Sequence, residues 1–170
     1  MSPAFTAEQI AALLESTCAL IDAEMRALGD DGCRFHHKAG EWCVNECVGH
    51  LIEAEKRGFA GRIRDLLAGR PIESWDQAQV ARDRRDCERV SQSLWMEFMG
   101  LRNSSIALVR SLTAADMDRG GTHPKVGMLR VRDLLQEWVH HDRNHTKQLL
   151  SIQQERAYPH MGNAQKFVGE

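Results

Sequence analysis

At 170 residues the chain is long enough to bury its own core and short enough to be a single domain. Its 22 basic and 24 acidic side chains nearly cancel, and no block of like charge forms the basic stripe of a nucleic-acid binder or the polybasic face of a membrane-surface helix. No run approaches the ~18 apolar residues of a membrane span, and the opening MSPAFTAEQI lacks the regions of a secretory signal, so the five irregularly spaced cysteines are expected as reduced thiols in a cytoplasm.

In chain order, a first amphipathic helix opens at Thr6, which has capping-box spacing to Gln9. Ile10, Leu13, Leu14, Thr17, Ile21, Met25 and Leu28 hold a 3.6-residue period until Gly29-Asp30-Asp31-Gly32 stops it. After a loop to about Glu41, a second helix carries Val44, Val48, Leu51, Ile52, Phe59, Ile63 and Leu66 on one side and closes at Gly69 and Pro71. The stretch from there to about Asp86 is charged and weakly patterned, and reads as a long connection with room for a short helical turn. Its end, the alternating run Arg82–Arg89, reads as a solvated helix start. A third helix follows, with Val90, Leu94, Phe98, Leu101, Leu108 and Leu112, and is broken by Gly120, Gly121, Pro124 and Gly127. A fourth runs from about Leu129 to Gln154. No strand, repeat or low-complexity segment is evident. The class is all-α, most simply a four-helix bundle over residues 1–154 with a tail over 155–170.

The fourth helix contains Trp138-Val139-His140-His141-Asp142-Arg143-Asn144-His145. His141 and His145 are four residues apart, which places both imidazoles on one helical face, about 5–6 Å apart at Cβ. Their neighbours on that face are Val131, Leu134, Trp138, Leu149 and Ile152, so two nitrogen-bearing rings interrupt an apolar stripe on consecutive turns. Each ring needs a partner, and a shared metal ion with one further ligand would serve both. Asp142, at the edge of the stripe, is placed to accept a hydrogen bond from a ligand imidazole. His140 points away from the stripe and is expected in solvent. His36, His37, His50, His123 and His160 compete for the third position, and of these only His50 lies in a firmly helical segment.

That segment, Glu41-Trp42-Cys43-Val44-Asn45-Glu46-Cys47-Val48-Gly49-His50-Leu51-Ile52-Glu53, followed by His123-Pro124-Lys125-Val126-Gly127 and the WVHHDRNHTKQ run, resembles the DinB-like (YfiT-like) family of metalloenzymes. The resemblance extends from about Trp42 to Leu150. It implies an up-down-down-up bundle with a long crossover between helices two and three, and a divalent metal held by His50, His141 and His145. On the helical wheel His50 lies away from the apolar stripe of helix two, among Cys43, Glu46, Cys47, Ala54 and Arg57, a polar or small-residue face suited to a cleft. Axial position agrees with the implied topology. His50 lies about nine residues from the start of helix two and His145 about nine from the end of helix four, so their heights coincide, near ~14 Å, only if the two helices are antiparallel. The family usually carries Ser or Thr where this chain has Cys43. Cys47, one turn before His50, is read as a packing residue and not a fourth ligand, and Trp42 and Trp138 as packing anchors.

Three neutral imidazoles leave open positions for substrate, with Zn or Ni as fitting ions. The resemblance further implies transfer or isomerisation chemistry on a small-molecule substrate with a low-molecular-weight thiol such as bacillithiol or mycothiol. The leading expectation is therefore a cytoplasmic metal-dependent S-transferase or isomerase. A metal-stabilised, non-catalytic bundle acting as a stress-related or homodimeric interaction module is the alternative. Metal-assisted hydrolysis would need Glu46 or Asp142 as its base.

Overall fold

The computed structural model describes residues 3–168; the first two and last two residues of the expected bundle and tail lie outside it. Helix α1 spans Ala7–Cys33, α2 Val44–Glu53, α3 Ala60–Leu67, α4 Gln77–Arg84, α5 Ser91–Ser111 and α6 Val131–Ala157. Thr6 caps α1 through its side chain, which accepts from the Gln9 amide while Gln9 Oε1 accepts from the Thr6 amide. Gly29, at φ 65°, kinks α1 without ending it, and the helix resumes to Cys33.

Long-range contacts fix the helix directions. Arg110 pairs with Glu8 and Glu15 while the Ser91 amide donates to Asp30, so α5 runs against α1. Gln136 meets Phe5 and Arg143 meets Leu13, so α6 runs with α1. Trp42 stacks on His145 and Phe59 on Trp138, so α2 and its continuation run against α6. The topology is up-down-down-up, and the crossover from Ala68 to Val90 makes it possible.

The expected second helix is broken in the middle. Ala54–Gly58 form a π-helical turn between α2 and α3. Part of the expected connection is the regular helix α4, which starts with Asp76 accepting from the Gln79 amide. The glycine-rich approach to α6 is a two-stranded antiparallel hairpin, Gly120–His123 against Gly127–Arg130, where no strand was expected. Its turn uses Gly127 at φ 79°.

The core has two apolar clusters, one around Ile10, Leu14, Ile63, Leu134 and Trp138, the other around Ile21, Val48, Ile52, Phe98 and Ile152. Between them every long helix contributes buried polar residues: Thr17 from α1, Arg102 and Ser105 from α5, Asp142 and Thr146 from α6, with Glu55 from the π turn. A polar layer thus crosses the bundle at mid-height.

The Arg82–Arg89 run is not a solvated helix start. Asp86 is buried, with Arg84 and Arg89 on its carboxylate, and Arg84 also reaches Glu53. Asp86 packs against Gly49, where any Cβ would run into its carboxylate. This contact seals the second face of α2.

Candidate metal centre

His50, His141 and His145 meet at the level of the polar layer, each with a ring nitrogen within 4.8 Å of the others. The Nε2 atoms of His50 and His141 are 3.0 Å apart, and the ring centroids of His145 lie 4.4 Å from His50 and 4.5 Å from His141. The α6 pair comes from i,i+4 spacing on one face. The third ring is supplied by the antiparallel approach of α2, just before the π turn, a distortion that often accompanies functional sites.

Hydrogen bonding orients one ring clearly. His145 Nδ1 lies 2.9 Å from Gln148 Oε1, an acceptor, so Nδ1 carries the proton and Nε2 keeps its lone pair. His141 Nδ1 is buried and has no hydrogen-bond partner among the described residues, while its Nε2 faces His50 Nε2. Burial, and secondarily the neighbouring His145, pushes His50 down to about 4. Burial, then His145 and His50, with Arg102 adding to the effect, pushes His141 down to about 3. His145 is lowered by burial as well, partly offset by Gln148. All three rings are therefore neutral near neutral pH. Three uncharged nitrogen donors in one small volume fit a late divalent cation such as zinc or nickel.

The walls are aromatic. Trp42 lies over His50 and His145, and the edge of Phe59 meets His141. His50 is only 8% exposed, deeper than the half-open cleft its helical-wheel position predicts. The reason is that α6 packs on this side of α2 and Trp42 closes over it, so the ring lies against His141, His145 and the Trp42 indole.

Asp142 does not reach a ligand imidazole. Both its oxygens accept from Arg102, at 2.5 and 3.2 Å, and Arg102 also pairs with Glu55 at 2.7 Å. Ser105 Oγ donates to the other Glu55 oxygen at 2.5 Å. Glu46 Oε2 accepts from the Cys43 amide at 2.8 Å, and Glu53 is held by Arg84 and Arg57. Cys47 is buried among apolar side chains, and its thiol is pushed up to about 12 by that burial. His140 is exposed on the opposite side of α6, while His123 is buried in the hairpin beside Arg62.

Sequence reasoning missed Gln148 and Arg102. Gln148 follows His145 by three residues, a spacing at which helical side chains meet, so its role was accessible in principle. Arg102 lies 40 residues from Asp142 and left no local signal.

An up-down-down-up bundle with three histidines converging from its second and last long helices defines the class. The chain belongs to the DinB superfamily, whose family model matches residues 5–149. YfiT from Bacillus subtilis, described as a probable metal-dependent hydrolase with an unusual four-helix bundle topology, shares the fold at a TM-score of 0.79 and 19% identity, over 92% of this chain and 94% of its own. No curated protein matches the chain in sequence.

Proposed function

We propose that His50, His141 and His145 hold one divalent metal, zinc or nickel in class, and that the protein is a metal-dependent enzyme transferring or isomerising a small substrate with a low-molecular-weight thiol. The observation that carries this reading is the convergence of three neutral imidazoles at a place where every nearby carboxylate is already engaged. When bound, the metal supplies Lewis acidity at an open position, sufficient to ionise a thiol without a protein base.

The protein's own groups set the conditions for that chemistry. Gln148 holds His145 with Nε2 inward, and the Arg102 guanidinium keeps its positive charge near His141, disfavouring an imidazolium there. Trp42 and Phe59 restrict water around the rings and offer apolar walls to the body of a substrate.

Metal-dependent hydrolysis is the second reading, favoured by the description of YfiT and its match over almost its whole length. Hydrolysis asks for a base to handle water, and Asp142 and Glu46, the two carboxylates expected for it, are bound to Arg102 and the Cys43 amide. A thiol, being far more acidic than water, asks for less.

The test is conjugation of an electrophile by protein loaded with one equivalent of zinc, with and without a small thiol. Thiol-dependent turnover that disappears in His141→Ala supports the transferase reading. Ester or amide hydrolysis without thiol, lost in the same variant, supports hydrolysis. Zinc retention with neither activity would leave a metal-stabilised bundle.

A further inference from the structure

A second constellation lies one turn from the three histidines. Cys43 ends the loop into α2, Glu46 is in the first turn of α2, His36 is in the loop before it, and Cys87 comes from the turn that ends the crossover. One ligand atom from each of the four lies within 4.8 Å of all the others. His36 Nε2 is 3.1 Å from Cys87 Sγ, and the Cys43 and Cys87 thiols are in hydrogen-bonding reach of each other.

The orientation of His36 carries the argument. Its Nδ1 is 2.9 Å from the Glu41 carbonyl, which can only accept, so Nδ1 bears the proton and the Nε2 lone pair faces the cysteines. A backbone carbonyl fixing the far nitrogen is the arrangement that presents a histidine to a metal. A tetrahedral zinc shell, with Zn–S about 2.3 Å and Zn–N about 2.0–2.1 Å, has ligand-to-ligand edges of roughly 3.3–3.8 Å; His36 and Cys87 sit slightly closer than this, at 3.1 Å, and all four ligand atoms lie within 4.8 Å of one another. Burial holds the metal-free Cys43 thiol well above its ordinary value, only partly offset by the Glu46 amide at the start of α2, so the thiolate forms together with the bound ion. Two sulfurs exclude magnesium and calcium as the preferred ions.

We propose that Cys43, Cys87 and His36, with Glu46 as the fourth ligand, form a second, structural zinc site that clasps the end of the crossover to the start of α2. The ion binds as both thiols release their protons to solvent, and all four positions are filled by protein, so the site is closed and performs no turnover. Its consequence for the first site is mechanical. Trp42 directly precedes Cys43 and forms a wall over His50 and His145, while Asp86 directly precedes Cys87 and seals α2 at Gly49. Joining residues 43 and 87 through one ion fixes both walls.

The experiment is zinc content of protein purified without a histidine tag under reducing conditions, for wild type, Cys87→Ser, His36→Ala and His141→Ala, with cobalt substitution of each. His36 is exposed, so its replacement leaves the core intact. The expected result is two zinc per chain in wild type and one in each variant. The intense near-ultraviolet absorption of cobalt bound to thiolate should be present in wild type and His141→Ala and gone in Cys87→Ser. A single zinc lost in His141→Ala but kept in Cys87→Ser and His36→Ala would overturn the proposal, as would a cobalt protein without sulfur absorption. Because the His141→Ala arm reads only the three-histidine site, failure of either assignment is visible apart from the other.

Discussion

Arg102 is fully buried, and its guanidinium lies between Glu55 and Asp142 while its plane is held over Phe98 and Trp138. Burial alone would lower its proton affinity, yet the two carboxylates keep it raised and therefore charged. Glu55 in turn is pushed upward by burial, against the pull of Arg102 and Ser105. Arg102→Met would leave both carboxylates buried without their cation, and urea denaturation should show a loss of roughly 3–5 kcal/mol. A loss within about 1 kcal/mol would mean the carboxylates find water or a proton instead. The histidines give a second prediction at this scale, for metal-free protein. Their folded values, about 4 for His50 and about 3 for His141, lie below the ordinary 6.5. Above 6.5 both folded and unfolded chains carry neutral rings and their contribution to stability is complete. As pH falls through 6.5 toward those folded values, the unfolded chain takes up protons that the folded one refuses, so stability declines. In chelator, the urea midpoint of wild type should drop between pH about 7.5 and about 5, and less so in His141→Leu. A midpoint equally steep in both would assign the decline to other groups.

At the scale of elements, the sequence announces what is periodic and conceals what is imposed. The four long helices are legible because apolar residues at 3.6 spacing must bury one face, and Thr6 with Gln9 marks a start that the structure keeps. The hairpin at Gly120–Arg130 was not legible: its strands are four residues each, the first opens on two glycines and the second on one, and they show no alternation to speak of. The π turn was hidden as well, since one extra residue in a helix leaves the composition unchanged. The burial of His50 was misjudged because it depends on how closely Trp42, His141 and His145 gather on its ring, which the wheel of α2 alone does not carry. The pairing of α2 with α6, by contrast, could be argued from helix lengths and the long crossover. The π turn yields a prediction of its own. The wide turn absorbs the extra residue, so α3 keeps the phase a regular helix one residue shorter would have. Deleting Lys56 should therefore leave a regular helix with Ile63 and Leu66 still buried and lose only the pairs of Lys56 with Glu97 and Glu53, a cost within about 1 kcal/mol by urea denaturation. A loss of about 1.5–3 kcal/mol or more, the worth of one buried side chain, would show that the inward phase of α3 depends on the π turn.

At the scale of the whole molecule, the bundle interrupts its own core with a polar layer at the height where the histidines meet, and this would couple folding to the proposed metal. Arg102, Glu55 and Asp142 satisfy one another within that layer, but among the described residues the hydrogen-bond partners of the three rings are one another and Gln148. Their desolvation is a cost that the apolar clusters above and below must offset. A metal held by all three exists only when α2 and α6 are docked, since the donors come from both. Binding should therefore stabilise the folded chain by RT ln(1 + [L]/Kd), about 4 kcal/mol at a free zinc concentration of 1,000 times Kd. For a domain of this size that corresponds to a rise of roughly 8–16 °C in the unfolding midpoint. Scanning calorimetry with buffered zinc should show this rise in wild type. With Cys87→Ser removing the crossover clasp, a smaller but definite rise should remain, contributed by the three histidines. The double variant Cys87→Ser, His50→Ala should not respond to zinc. Should its midpoint still climb with zinc, the stabilising ion binds elsewhere, and the coupling between the polar layer and the metal is not what holds α2 to α6.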